Sequence, residues 1–141
     1  ALANTTEYKT LMDAYDRDVR VISVDGLNSR AAGALVAALR QSLSGRLLVV
    51  APNDSEAREL LDQYSGFSED AVYIPARELA LFDSFAHSRS VIDQRVAALC
   101  SLLDHQDGNV YIAPVEALST NIAPPAVFSR GLIPLEVGQT M

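Results

Sequence analysis

The sequence predicts an α/β domain built on an open, mainly parallel sheet with helices on its faces. Short apolar runs of strand length occur at residues 47–51 (LLVVA) and 110–113 (VYIA), helical-period stretches separate them, and glycine or proline stands at the joins. Continuous apolar runs are the mark of strands buried on both faces, which parallel sheets have. Strands alternating with helices in turn imply right-handed βαβ crossovers.

Taking the elements in order, residues 5–16 carry Tyr8, Leu11, Met12 and Tyr15 at helical spacing, which predicts an amphipathic N-terminal helix. Residues 19–24 (VRVISV) alternate in the manner of a strand that Gly26 ends. The helix after this turn carries Leu35, Leu39 and Leu43 on one stripe, with Val36 beside it, and stops at Gly45. After the LLVVA strand, Asn53, Asp54 or Ser55 can cap a helix whose apolar stripe is Ala57, Leu60, Leu61 and Tyr64. Residues 71–74 (AVYI) form a strand cut off by Pro75.

A loop then leads to a long helix over residues 91–103, whose inward stripe is Ile92, Val96, Leu99 and Leu103, with Asp107 and Gly108 as its stop. The VYIA strand follows, with a short helical turn over residues 114–118. The segment NIAPPAVF, residues 121–128, breaks this rhythm, because consecutive prolines disfavour both helix and central strand. We therefore read residues 1–128 as one domain and residues 129–141 as the opening strand of another.

Composition narrows the function. The chain has 141 residues, of which 49% are hydrophobic and 21% charged, enough for one buried core. A formal charge of −7 disfavours nonspecific attraction to nucleic acid, which depends on lysine and arginine displacing counterions; it either aids solubility or fits a basic partner. One cysteine, Cys100, cannot form an internal disulfide, and no signal peptide or membrane-length apolar run is evident, so the cytoplasm is the expected compartment. His87 and His105 lack the spacing or company of a metal site.

The sharpest chemical candidate is VDGLNSRAAGALVAALRQ, residues 24–41, which has the strand, glycine turn and helix of a phosphate-binding loop. Such a loop needs the pattern G-x-x-x-x-G-K-[ST], because backbone amides, a lysine and a metal-binding hydroxyl must converge on the phosphates. Counting from Gly26, the lysine position is Ala32 and the hydroxyl position is Gly33. Asn28, Ser29, Arg30 and the helix N-terminus retain only the capacity to hold an anion weakly. The second candidate is the segment joining residues 73–99, where Glu78, Asp83 and Arg95 form either an ion-pair network that fixes the loop or a polar patch facing a partner. A nucleotide-binding domain with an unorthodox phosphate loop, and a ligand-binding α/β domain of other ancestry, remain open on these residues alone.

The succession VDGLNSRAAGALVAAL, LLVVAPNDSEARELLDQ, YIPARELALFDSFAHSRSVIDQRVAALCSLL and VYIAPVEALS resembles the N-terminal, UvrB-like region of bacterial transcription-repair coupling factors, the Mfd family, over residues 19–141. In the third block Pro75, Glu78, Asp83, Ser88 and Arg95 match together, while Phe82 stands where tyrosine is usual and Ala86-His87 where serine and proline are common. UvrB itself is the nearest rival, but it keeps the lysine and threonine of its loop and carries an aromatic-rich hairpin for which the chain has no room.

The resemblance implies a RecA-like, P-loop NTPase-like fold with a degenerate nucleotide site and no catalytic residue or cofactor in this chain. It implies recruitment of UvrA through the wider UvrB-like module. RNA polymerase, DNA, ATP and Mg²⁺ would be handled by other domains of the parent, whose motor is an ATP-dependent DNA translocase. No membrane is involved on this reading.

Overall fold

A computed structural model describes residues 2–76, 85–104 and 109–131. After a 3₁₀ turn at Leu2–Asn4, the helices are α1 (Thr6–Asp16), α2 (Ser29–Ser42), α3 (Asp54–Ser65), α4 (Phe85–Leu103), α5 (Val115–Leu118) and α6 (Pro125–Gly131). The strands are β1 (Leu47–Ala51), β2 (Ala71–Tyr73) and β3 (Val110–Pro114). They form a three-stranded sheet in the order β1-β3-β2, and both pairings are parallel. The result is an α/β fold with a small open parallel sheet and flanking helices, consistent with a RecA-like arrangement.

β3 lies in the middle because all of its residues are ones that lose nothing by full burial: every position from Val110 to Pro114 is buried. Val110 and Ile112 face one core with Ala51, Ala57, Tyr64, Val36 and Ala37, so α2 and α3 cover that side. Tyr111 and Ala113 face a second core with Ile74, Ala98 and Ala117, which α4 and α5 supply. Three helices start on side-chain caps that satisfy an otherwise orphaned amide. Thr5 Oγ1 accepts from Tyr8 N at 3.2 Å, Asn28 Oδ1 from Ala31 N at 2.8 Å, and Asn53 Oδ1 from Glu56 N at 2.9 Å. α1 docks through Tyr8, whose hydroxyl donates to the Ala38 carbonyl at 2.8 Å and lies 2.7 Å from Ser42 Oγ.

Several sequence expectations need correction. Residues 19–24 form no strand; they run as irregular chain, with Val21 81% exposed. Both flanks of β3 are occupied, by β1 and β2, so this segment has no ladder to join beside the central strand, and propensity alone does not make a strand. β1 is buried on one face only, with Leu48 and Val50 about half exposed, because it is an edge strand and α4 packs over β2 and β3.

In α4 the sheet-facing stripe is not the expected one. Ile92 and Val96 are exposed, whereas Ala98 is buried and Leu102 packs against the same core. Two adjacent stripes of this helix are largely apolar. The one that wins places small Ala98 against the sheet and aims Arg95 at waiting carbonyl groups. Finally, the proline-rich segment does not exclude a helix: α6 begins at Pro125, where a missing N–H costs nothing, and Val127 N and Phe128 N donate to the Pro124 carbonyl at 2.9 and 3.0 Å. The expected stop at Asp107 and Gly108 lies outside the described residues, as do residues 132–141.

Candidate functional site

The glycine turn is preserved in shape. Gly26 sits at φ +79°, a left-handed conformation that suits glycine, and Asn28 begins α2 two residues later. A phosphate loop keeps its backbone amides free ahead of the helix. In this chain the helix starts at Ser29, so Ser29, Arg30, Ala31, Ala32 and Gly33 are already wound into α2. The Ala31 amide donates to Asn28 Oδ1 at 2.8 Å and to the Asn28 carbonyl at 3.0 Å, so the cap consumes a donor that an anion would need. Arg30 is exposed.

The two positions that would carry the lysine and the hydroxyl face α3. A Cβ on Gly33 would lie 2.7 Å from Gln63 Cβ and 3.2 Å from Tyr64 N, so the glycine permits close packing of the two helices. Ala32 lines a cavity of about 280 Å³ whose other walls include Glu56, Glu59 and Gln63. The side chains around the lysine position are therefore acidic, a poor setting for phosphate.

The second sequence candidate is only partly within view. Glu78 and Asp83 lie outside the described residues, and Ser88 is placed by its backbone in α4. Arg95 is a clamp: Nη1 donates to the Pro75 carbonyl at 2.7 Å, and Nη2 donates to the Ala117 carbonyl at 3.0 Å and to Thr120 Oγ1 at 2.8 Å. It thereby ties the exit of β2 to α4, to α5 and to the turn after it. Pro75 is fully buried at this junction.

Two polar clusters escaped the sequence reading. At the carboxyl end of the sheet, the Tyr73 hydroxyl donates to Asp54, whose other oxygen accepts from Arg58 Nε at 2.7 Å, and the Arg58 guanidinium lies 4.9 Å from the Tyr73 ring centre. The Tyr73 and Arg58 bonds hold the Asp54 carboxyl below its ordinary range, while burial, reinforced by Asp54, pushes Tyr73 up to about 12. At the amino end of β2, Asp70 accepts from Tyr64 Oη at 2.6 Å, Ser68 Oγ at 2.5 Å and Arg40 Nε at 3.1 Å. Burial alone would raise the Asp70 carboxyl, but these donors outweigh it and lower it; burial and Asp70 together raise Tyr64 to about 12. Of these contacts only Asp54–Arg58 carries a local signal in the sequence, the i,i+4 spacing of a helical ion pair.

Among the described residues no group of three or more His, Cys, Asp or Glu could hold a metal ion, and no helix is long and apolar enough to cross a membrane. The fold and the turn together define an α/β domain with a parallel sheet, in which a glycine turn leads into α2 but no strand precedes it. Among curated proteins the chain is similar to the transcription-repair-coupling factor of Escherichia coli (strain K12), with 28% identity over 116 residues, 82% of this chain. The chain spans about 10% of the length of that relative. No family model matches the chain, and no solved structure gives a significant match.

Proposed function

We propose that this chain is a non-catalytic binding module of a transcription-repair coupling factor, a degenerate RecA-like domain that helps to build the surface recruiting UvrA. In this reading ATP and Mg²⁺ are used by motor domains elsewhere in the parent, RNA polymerase and DNA are bound there as well, and the protein works in the cytoplasm. The observation that carries the reading is the state of the phosphate loop: residues 29–33 lie inside α2, and Gly33 is pressed against Gln63. Similarity to the E. coli coupling factor supports the same class of parent.

The proposal is tested on the product of the whole reading frame. Immobilised UvrA is expected to capture that product, and to capture it more weakly once residues 1–128 are deleted. Unchanged capture by the deleted form, or a frame with no intact G-K-[ST] loop downstream of residue 141, contradicts the proposal.

A further inference from the structure

Residues 19–24 and β1 each carry a backbone edge that nothing among the described residues meets. Val19, Val21, Ile22 and Val24 are exposed, and among the described residues the one backbone hydrogen bond of residues 19–25 runs from Val19 N to the Ala14 carbonyl at 3.1 Å. β1 pairs with β3 on one side only, and its Leu48 and Val50 are exposed. β-branched residues with unpaired amides are what a strand presents when its neighbour is missing.

Handedness places the two segments relative to each other. α2 and α3 cover the same face of the sheet, and the crossover through α3 carries the chain from β1 past β3 to β2. Parallel crossovers within one sheet are right-handed, so a crossover through α2 on that face advances the same way, which puts residues 19–24 beyond the free edge of β1. The helices set the interval. α1 packs on α2 through Tyr8 and the Ala38 carbonyl, and α2 on α3 through Gly33 and Gln63, so the three lie side by side in that order. Ile22 and Val24 line a cavity of about 440 Å³ with Leu11 of α1 and Leu35 of α2. Val49, Val50 and Ala51 of β1 line the separate cavity of about 280 Å³ with Ala32 of α2 and Leu60 of α3. The two segments thus stand one helix apart. Packed helices are spaced by about 8–10 Å and paired strands by about 4.8 Å, so one strand fits between them.

We propose that this interval receives one extended segment of the same polypeptide from outside these 141 residues, paired with β1 along one edge and with residues 19–24 along the other. The length of the parent favours a segment of the same chain, since the relative that matches here is about ten times as long as the stretch that matches it. To that extent, and no further, the inference rests on the coupling-factor reading. Side chains of the segment on one face lie against Ala32 and Leu35, and those on the other lie beside Leu48 and Val50. The segment is therefore apolar on both faces, as β3 is.

The test uses the product of the whole reading frame. Amide hydrogen exchange of residues 20–24 is expected to be slower than in an unstructured peptide by roughly a hundredfold. Two further forms of the product carry a photoreactive residue, Val21→p-benzoylphenylalanine or Leu48→p-benzoylphenylalanine, at positions whose exposure makes them tolerant of the change. On illumination both are expected to crosslink, within one molecule, to the same tryptic peptide from outside residues 1–141. Exchange of residues 20–24 at the unstructured rate, crosslinks that join two molecules, crosslinks only to peptides within residues 1–141, or no crosslink from either probe would each overturn the proposal. UvrA capture reads the coupling-factor assignment separately: a product that captures UvrA but leaves residues 20–24 unprotected overturns this inference alone.

Discussion

Gly33 of α2 and Gln63 of α3 meet so closely that a methyl group on the glycine would lie 2.7 Å from Gln63 Cβ. This contact gives residue 33 a packing role at the very position where an active phosphate loop carries its hydroxyl. It also yields a prediction. Alanine would gain about 1 kcal/mol of helix propensity but overpack the helix pair, at a cost of about 1–3 kcal/mol, and threonine would cost more. Urea unfolding of G33A and G33T should show a lower midpoint for both, with G33T the less stable; a stabilised G33T would show that the helices do not meet at Gly33.

Arg95 joins segments that are far apart in sequence, through the carbonyls of Pro75 and Ala117 and the Thr120 hydroxyl. Hydrogen bonds from a charged donor contribute about 1.5–3 kcal/mol, so R95A should destabilise the chain by about 3 kcal/mol. Lysine keeps the charge but cannot span both carbonyls, so R95K should recover only part of the loss. Thermal melts of the two variants check this ordering.

The Asp70 cluster contributes to the pH dependence of stability, alongside the Asp54–Tyr73 pair, which is shifted in the same directions. The Asp70 carboxyl is lowered in the folded chain, so its contribution is present above its unfolded value of about 3.9 and is lost as pH falls through the lower folded value. Tyr64 is raised to about 12, so its contribution is complete below its ordinary value of 10.0 and is lost as pH rises toward 12. Denaturant midpoints should therefore decline at both ends of the scale. The D70N variant should lose the acid limb attributable to this residue, and an unaltered acid limb in D70N would contradict the assignment.

At the N-terminus, the Tyr8 hydroxyl anchors α1 to the Ala38 carbonyl and Ser42. Y8F keeps the ring and removes the bond, at a cost of about 1 kcal/mol. Hydrogen exchange should quicken in α1 while β3 keeps its protection. Uniform quickening would mean that α1 is not a separable unit.

How legible the chain was depends on whether a feature is local. The helices at Thr6–Asp16, Ser29–Ser42 and Asp54–Ser65 were readable because caps and apolar stripes sit within a few residues of one another. β3 was readable because a run such as VYIA has no other comfortable place than a central strand. Residues 19–24 were misread because a strand needs a neighbour, and its identity is fixed only by the whole sheet. The α4 stripe was misread because Ile92 and Val96 look more buried on paper than Arg95, and nothing local reveals the carbonyls that Arg95 meets. Pro125 was misread because the same residue breaks a helix inside and starts one at its first position.

The candidate site divides in the same way. That Ala32 and Gly33 stand where a phosphate loop has its lysine and hydroxyl was visible in the letters alone. That these residues lean on α3, beside Glu56, Glu59 and Gln63, required the three-dimensional contact.

The central claim, that the glycine turn and helix start at residues 26–33 bind no nucleotide, is tested most directly by isothermal titration of the chain with ATP in the presence and absence of Mg²⁺. The account predicts no saturable heat through the micromolar range under either condition. Micromolar, Mg²⁺-dependent binding would contradict it.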